Sequence, residues 1–407
     1  MEELSYGTVM IVVRSTEQGS PVKIRLDRDV LAEAVAWTAR SLPTRPSVPI
    51  LAGLLVKASG GQVVMSSFDY ETSAQIGVPA QVTDDGVALV SGKLLADIAR
   101  SLPNKPVDIT ADTSRMELVC GSARFTLQTL PVDDYPALPT MPEATGTVKS
   151  EDFSRAVAQV VVAAGRDELL PVFTGVRMEI EGDTLSLLAT DRYRMALKEI
   201  TWTPSGSGGD GAALVPARVL GETAKSMTSG EVVTLSLASG GTGDGLIGFE
   251  GAGAAGTREI TTRLLDGEFP KVRHLMNVQA TVTVRANTAE VIAAVKRVAL
   301  VAERNTSLRM LIGDQTITLE AATGDQAQAV EALEAVVTDE TGQGLAMTAA
   351  GFNPHYLADA LTALDAPYVH FSFTAPGKPC LLTALSELDG EQQTDYRHVI
   401  MLMRLPA

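Results

Sequence analysis

Between Val22 and Leu405 the chain carries one hydrophobic pattern written three times, and a chain built this way folds as copies of one unit. In each copy a short apolar run precedes a helix whose apolar residues recur at i, i+3, i+4, i+7, i+8 and i+11, which places them on one face. They are Leu31, Ala34, Val35, Thr38, Ala39 and Leu42, then Phe153, Ala156, Val157, Val160, Val161 and Ala164, then Val291, Ala294, Val295, Val298, Ala299 and Ala302. A second, shorter helix opens at Leu95, Leu220 and Leu357. From Leu31 to Leu95, Phe153 to Leu220 and Val291 to Leu357 the intervals are 64, 67 and 66 positions, a constancy that unrelated domains would not share.

Around the helices lie alternating or β-branched runs. In the first copy they are Val22–Leu26, Leu54–Ala58, Gln62–Ser66, Thr72–Val78, Val87–Ser91, Val107–Thr110, Met116–Cys120 and Arg124–Thr129, joined by turn residues such as Gly60-Gly61 and Asp84-Asp85-Gly86. The second copy repeats them with Val176–Glu181, Thr184–Ala189 and Met195–Ile200, the third with Leu308–Ile312, Thr316–Ala321 and Gln328–Leu333. About eight strands per copy outnumber two helices and rarely alternate with them, which predicts α+β layers of antiparallel sheet backed by helices. The expected division is an N-terminal tail over 1–21 and domains over 22–141, 147–275 and 279–407. Leu130-Pro131-Val132-Asp133-Asp134-Tyr135-Pro136 is echoed by Leu265-Asp266-Gly267-Glu268-Phe269-Pro270, so one acidic–aromatic–proline phrase closes two copies. The final residues, Val399–Leu405, read as a closing apolar strand with adaptable methionines on it.

Chemistry-bearing motifs are scarce. Gly243-Asp-Gly245-Leu-Ile-Gly248 and Gly251-Ala-Gly253-Ala-Ala-Gly256 match the dinucleotide glycine spacing, but neither opens a helix and both fall where the repeat calls for hairpins. Gly92-Lys93 and Gly377-Lys378 lack the rest of a phosphate-binding loop. His274, His355, His370 and His398 form no i, i+4 pair, so neither metal nor cofactor is expected. Cys120 and Cys380 sit in strands of different copies and read as reduced buried thiols. No run of 18 apolar residues occurs, and Met1–Ser20 lacks the basic leader of a secretory signal.

A net charge of −16 opposes non-specific adhesion to nucleic acid by the surface as a whole. The six helical segments, 27–45, 93–105, 150–166, 217–227, 288–304 and 353–364, nonetheless hold 13 Lys and Arg against 10 Asp and Glu. They could face a polyanion, although the third copy's second helix has neither Lys nor Arg.

Several phrases resemble the bacterial DNA polymerase sliding clamp family, the β subunit of DNA polymerase III. They are Arg45-Pro46-Ser47-Val48-Pro49-Ile50-Leu51, Ala189-Thr190-Asp191-Arg192-Tyr193-Arg194-Met195-Ala196, Phe269-Pro270-Lys271-Val272-Arg273 and Met401-Leu402-Met403-Arg404-Leu405. Ser101-Leu102-Pro103-Asn104-Lys105-Pro106-Val107-Asp108 is similar to actinobacterial members. The resemblance implies three tandem clamp domains, a head-to-tail homodimeric ring around duplex DNA, and no catalysis. Its partners would be DNA held without sequence preference, the replicative polymerase, the clamp loader and other proteins bearing short peptide motifs. The place of action would be the cytoplasm, at the nucleoid. Weak phosphate-directed contacts suit such a ring, because base-specific hydrogen bonds would stall sliding.

By the same resemblance the partner-peptide pocket would comprise Phe173, Thr190, Arg194, Met195, Pro270, His274, Leu275, Pro379, Val399, Met401, Leu402, Met403 and Arg404. Arg45, Lys93, Arg166 and Arg218 would face DNA, and Phe125 and Leu127 would meet Leu300 and Val301 across the dimer interface. The chain departs from the family at Leu402, where many members carry proline, and at Met195 and Phe173, often leucine. Those departures keep a specialised paralogue open, with altered inhibitor tolerance or partner preference. An α+β repeat enzyme with an unrecognised site is the reading from another class.

Overall fold

In the computed structural model, residues 21–206, 210–237, 245–302, 306–324, 326–345 and 347–405 are described. The expected tail, Gly243 and Arg304 lie outside them. Six helices follow the expected spacing: α1 (Arg28–Ala39), α2 (Gly92–Ser101), α3 (Ser150–Val161), α4 (Ala217–Ser226), α5 (Thr288–Val298) and α6 (Pro354–Leu364). Polar side chains start four of them, with Asp27, Ser91, Asn287 and Asn353 each accepting a backbone N–H of the first turn. No described helix is long and apolar enough to cross a membrane.

The chain divides into two compact units. One comprises Met1–Glu151, Thr203–Gly208 and Glu222–Leu264, and the other Asp152–Trp202, Gly209–Gly221 and Leu265–Ala407, so the middle copy contributes strands to both. In the first unit a 14-stranded antiparallel sheet has a seam where Thr257–Arg263 of the middle copy pairs with Thr72–Pro79 of the first. Leu31, Ala34, Val35 and Thr38 of α1 are buried, as the periodicity requires. The Thr38 hydroxyl donates back to the Ala34 carbonyl at 2.9 Å, which satisfies it inside the core. Trp37 is buried as well, beneath the Arg258 guanidinium 5.0 Å from its ring. That guanidinium also bonds the Ser226 carbonyl at the end of α4 and pairs with Glu33.

The second unit repeats the device. In its nine-stranded sheet Arg194–Thr201 pairs with Gln393–Ile400, Met195 opposite Val399. A four-stranded sheet, in the order Ala327–Glu334, Thr316–Thr323, Leu308–Ile312, Ala349–Phe352, completes the third copy. Phe352, Phe371 and Phe373 pack mutually with ring centroids 6.1 to 6.3 Å apart. Cys120 and Cys380 are buried and unpaired.

Two expectations need correction. The first copy has a ninth strand, Gln81–Asp84, in the stretch just ahead of the Asp84-Asp85-Gly86 turn. It is a mostly exposed edge strand beside Val22–Leu26, so it carries no apolar alternation to announce it. The closing strand ends at Ile400 rather than running to Leu405. Beyond it Met401 N–H bonds the Tyr193 carbonyl and Met403 N–H the Gly351 carbonyl, so the backbone leaves one sheet and bridges to the end strand of the other. The glycine-rich 251–256 segment is a hairpin, Gly253 N–H bonding the Gly256 carbonyl, between Leu246–Ala252 and Thr257–Arg263.

Candidate functional site

Asp191 organises the turn between Thr184–Thr190 and Arg194–Thr201. Its Oδ1 accepts the N–H groups of Tyr193 and Arg194, each at 3.0 Å, and Arg192 takes a left-handed φ of 80°. A side chain that caps its own turn in this way relieves the backbone of two unpaired donors. Thr190 is buried, its hydroxyl donating to the Arg194 carbonyl at 2.7 Å and accepting from Arg192 N–H. The first copy uses the same turn, with Asp69 accepting from Glu71 and Thr72 and Tyr70 at φ 74°.

Of the residues expected in the pocket, Met195, Leu275, Val399 and Met401 join one apolar cluster. Leu188, Leu197, Leu214, Phe269, Met276 and Leu381 complete its buried part, and Val172, Leu265, Val272 and Val278 flank it. Met195 and Val399 are core, 1% and 0% exposed, whereas Leu275 and Met401 are half-buried and form its accessible side. Pro270, Pro379 and Leu402 are half-buried nearby in sequence, and His274 is exposed on the short turn Arg273–Met276.

Phe173 and Arg194 line a neighbouring cavity of about 490 Å³ with Arg166, Asp167, Asp191, Arg192, Tyr193, His355, Tyr356 and Asp359. Arg194 is 6% exposed and internally committed, 3.1 Å from Asp191, 2.7 Å from Asp359 and 4.3 Å above the Tyr356 ring. Arg192 is exposed instead, its guanidinium 5.7 Å from the Phe173 ring and 5.8 Å from that of Tyr193. Met403 and Arg404 do not join these residues. They line a separate cavity of about 630 Å³ with Arg309, Glu320, Val330 and Leu405, because the backbone has crossed to the other sheet. The expected pocket is thus an apolar cluster and two separate cavities, of which only the second is lined by the C-terminal segment.

The aromatic and acidic part of this site, Tyr193, Tyr356, Asp191 and Asp359, was missed from sequence. The Asp191-Arg192-Tyr193-Arg194 phrase was the available signal, since an aspartate two and three residues ahead of strand donors is turn chemistry. Tyr356 and Asp359 sit on α6, which periodicity assigned to the core without asking what its half-exposed face would meet.

Arg45, Lys93, Arg166 and Arg218 are all exposed, and none forms an ion pair with a described residue. Other helix cations are engaged: Arg100 with Asp97, Lys225 with Glu222 and Arg297 with Glu331. Arg28 donates to the Arg100 and Leu102 carbonyls at the end of α2. At the expected interface Leu300 is 83% exposed, a large apolar side chain with no cover, and Val301 is half-buried. Phe125 is half-buried, but Leu127 is 2% exposed and belongs to the first unit's core, since the inward face of Ala123–Leu130 falls there.

Perturbed titration does not converge on a cleft. Burial pushes His370 down to about 4, helped by Arg285, and His398 to about 3, helped by Arg194. Both are at most 2% exposed and held by neighbours, His370 by Ser372 and Gln392, His398 by the Tyr396 hydroxyl at 2.8 Å. Among the described residues no group of three His, Cys, Asp or Glu is placed to hold a metal ion.

Comparison with known proteins accounts for nearly the whole chain. Residues 22–139, 147–271 and 274–404 match, in order, the N-terminal, central and C-terminal domains of the DNA polymerase III beta subunit. The chain is 53% identical to the beta sliding clamp of Streptomyces coelicolor, over 94% of this chain and all of that one. It is 38% identical to the beta sliding clamp homolog GriR of Streptomyces muensis, over 94% of this chain and 99% of that one. The fold resembles the crystal structure of the Bacillus subtilis sliding clamp, with TM-score 0.83, 23% identity and coverage of 95% and 100%. A Pseudomonas aeruginosa sliding clamp bound to griselimycin gives TM-score 0.82 at 22% identity, over 94% of this chain and 100% of that one.

Proposed function

The chain belongs to the DNA polymerase III beta-subunit family, and from that membership we propose that it is a sliding clamp, a processivity factor without catalysis of its own. Three family domains in tandem over residues 22–404 are the observation that carries this reading. As domains 22–141, 147–275 and 279–407, two copies close head to tail around duplex DNA in the cytoplasm, at the nucleoid. The dimer contact is heterologous, so each chain offers two different patches. Leu300 and Val301 form one, and Phe125 with the exposed side of Ala123–Leu130 the other, Leu127 serving as their backing.

Polymerase, clamp loader and other replication and repair proteins dock through short peptides. The half-buried Leu275 and Met401 over the Met195–Val399 cluster supply an apolar seat, and the Phe173–Arg194 cavity flanks it. A seat lined by methionine and a few polar groups accommodates related peptides by repacking. Pro270, His274, Pro379 and Leu402 rim it, and Met403 with Arg404 extends it toward the third copy. Arg45, Lys93, Arg166 and Arg218 touch DNA phosphates, which requires the uncommitted side chains they have. The greater identity to the beta sliding clamp of S. coelicolor than to the clamp homolog GriR, 53% against 38%, supports the general clamp role.

The test is retention on DNA. After loading, a dimer of two 42.8 kDa chains stays on closed circular DNA at raised salt and slides off once the circle is cut. Equal loss from closed and cut circles would mean electrostatic binding and overturn the reading.

A further inference from the structure

We propose that His355 is the third copy's DNA-phosphate contact, standing where the first two copies place Lys93 and Arg218. The inference rests on the clamp reading and deepens it. The second helices superpose in sequence at their first buried leucines, Leu95, Leu220 and Leu357, which lie four residues into α2, α4 and α6. Two residues before each leucine stand Lys93, Arg218 and His355, each the second residue of its helix. A helix position fixed relative to the buried stripe projects in a fixed direction from the element, so the three side chains leave their helices alike.

Surroundings support the assignment. All three are exposed. The backbone N–H of His355 is spent on the Asn353 cap at 3.0 Å, while its imidazole has no hydrogen bond or ion pair to a described residue. It is the one basic side chain on α6. With Arg166, which the family resemblance also turns to DNA, it lines the cavity that flanks the peptide seat, so two elements of one unit bring donors to a common mouth. The carboxylates there do not cancel the cations, since Asp191 and Asp359 are taken by Arg194 and only Asp167 is left against Arg166 and Arg192. A histidine gives the third copy a shorter, weaker donor than Lys or Arg, which fits contacts that must release as the ring slides.

Binding of the intact dimer to a short fluorescein-labelled duplex, followed by anisotropy across a salt series, tests this. His355→Lys should tighten binding at low salt by about threefold or more, and should steepen the log–log salt slope by about 2, one released counterion for each of two chains. His355→Glu should weaken binding and flatten the slope by a similar amount. Affinities and slopes unchanged in both variants, while Arg218→Glu and Lys93→Glu weaken binding, would overturn the assignment of His355 alone. No effect from any of the four would instead sink the DNA-facing reading on which it rests. His355 is exposed and unpaired, so its variants should keep the native melting temperature, which shows them folded, and Arg218→Glu is the positive control for DNA contact.

Discussion

Arg194 lies beside the proposed peptide seat, yet its contacts describe a structural ion, and Arg194→Ala separates the two roles. The guanidinium is nine-tenths buried between Asp191, whose side chain is 13% exposed, and Asp359, 47% exposed. Removing one partner of a buried pair costs roughly 3–5 kcal/mol, because the other charge is left without compensation. Asp191 keeps two backbone N–H bonds, to Tyr193 and to residue 194, which places the loss near the lower end. Asp359→Asn removes the more exposed partner and should cost under about 1 kcal/mol. For a unit of this size 1 kcal/mol moves the midpoint by about 2–4 °C, so Arg194→Ala should lower the melting temperature of its unit by about 6–12 °C. Asp359→Asn should stay within about 4 °C. Arg194→Lys should recover part of the loss, since one ammonium cannot serve both carboxylates with the guanidinium's fork. The assay is calorimetric melting of the three variants beside the native dimer, with peptide titration below the transition. A native-like melt for Arg194→Ala together with lost peptide affinity would refute the structural assignment, as would Asp359→Asn melting as early as Arg194→Ala.

Glu259 faces Glu250 across neighbouring strands, and burial with that second carboxylate raises it from 4.5 to about 7. Its folded value exceeds its unfolded one, so it weakens the fold as pH rises from 4.5 to about 7 and the loss is complete above that; after discounting for its partial exposure, Glu259→Gln should stabilise by about 1–2 kcal/mol at pH 8 and by little at pH 5. An equal gap in melting temperature at both pH values would contradict this. Leu300→Glu places a charge on an 83% exposed leucine of the proposed dimer interface, and sedimentation should show a folded monomer of 42.8 kDa; an undiminished dimer would remove Leu300 from that interface. Leu402→Pro fixes the backbone between Met401 and Met403, whose N–H groups bond Tyr193 and Gly351. Polymerase-derived peptide should bind it with a changed affinity, and indistinguishable titrations would mean that the departure at Leu402 has no bearing on partner choice.

Local signals made most of the fold legible. Leu31, Ala34, Val35 and Thr38, or Val291, Ala294, Val295 and Val298, announce a helix because period 3.6 survives without any distant contact. Strand partnership is not local in that sense. Nothing in Arg194–Thr201 names Gln393–Ile400 as its neighbour, about two hundred positions away, since alternation fixes a face and leaves the pairing open. The site inherits that blindness. Met195 and Val399 could be expected together, but the crossing of Met401–Leu405 from one sheet to the other, which separates Met403 from Phe173, depends on Gly351. A Cβ there would lie 2.7 Å from the Met403 carbonyl oxygen.

Equivalent places in the copies show where such a chain keeps its function. The seam recurs as Thr72–Pro79 with Thr257–Arg263 and as Arg194–Thr201 with Gln393–Ile400, and the capped turn recurs at Asp69 and Asp191. What differs is the side chains mounted on it. Beside the first turn, Phe68 packs with Leu89 and Tyr135 and closes the surface with its own aromatics. Beside the second, the matching position is Thr190, whose hydroxyl is spent on the turn and fills no space beyond it. Leu214 and Phe269 occupy the places of Leu89 and Tyr135, and Leu275 and Met401 stay half-uncovered above them. The two clusters thus differ at one equivalent position, a bulky Phe68 in the first copy and a small Thr190 in the second. On the helices the same economy runs through Lys93, Arg218 and His355, where the helix position repeats and the side chain alone differs.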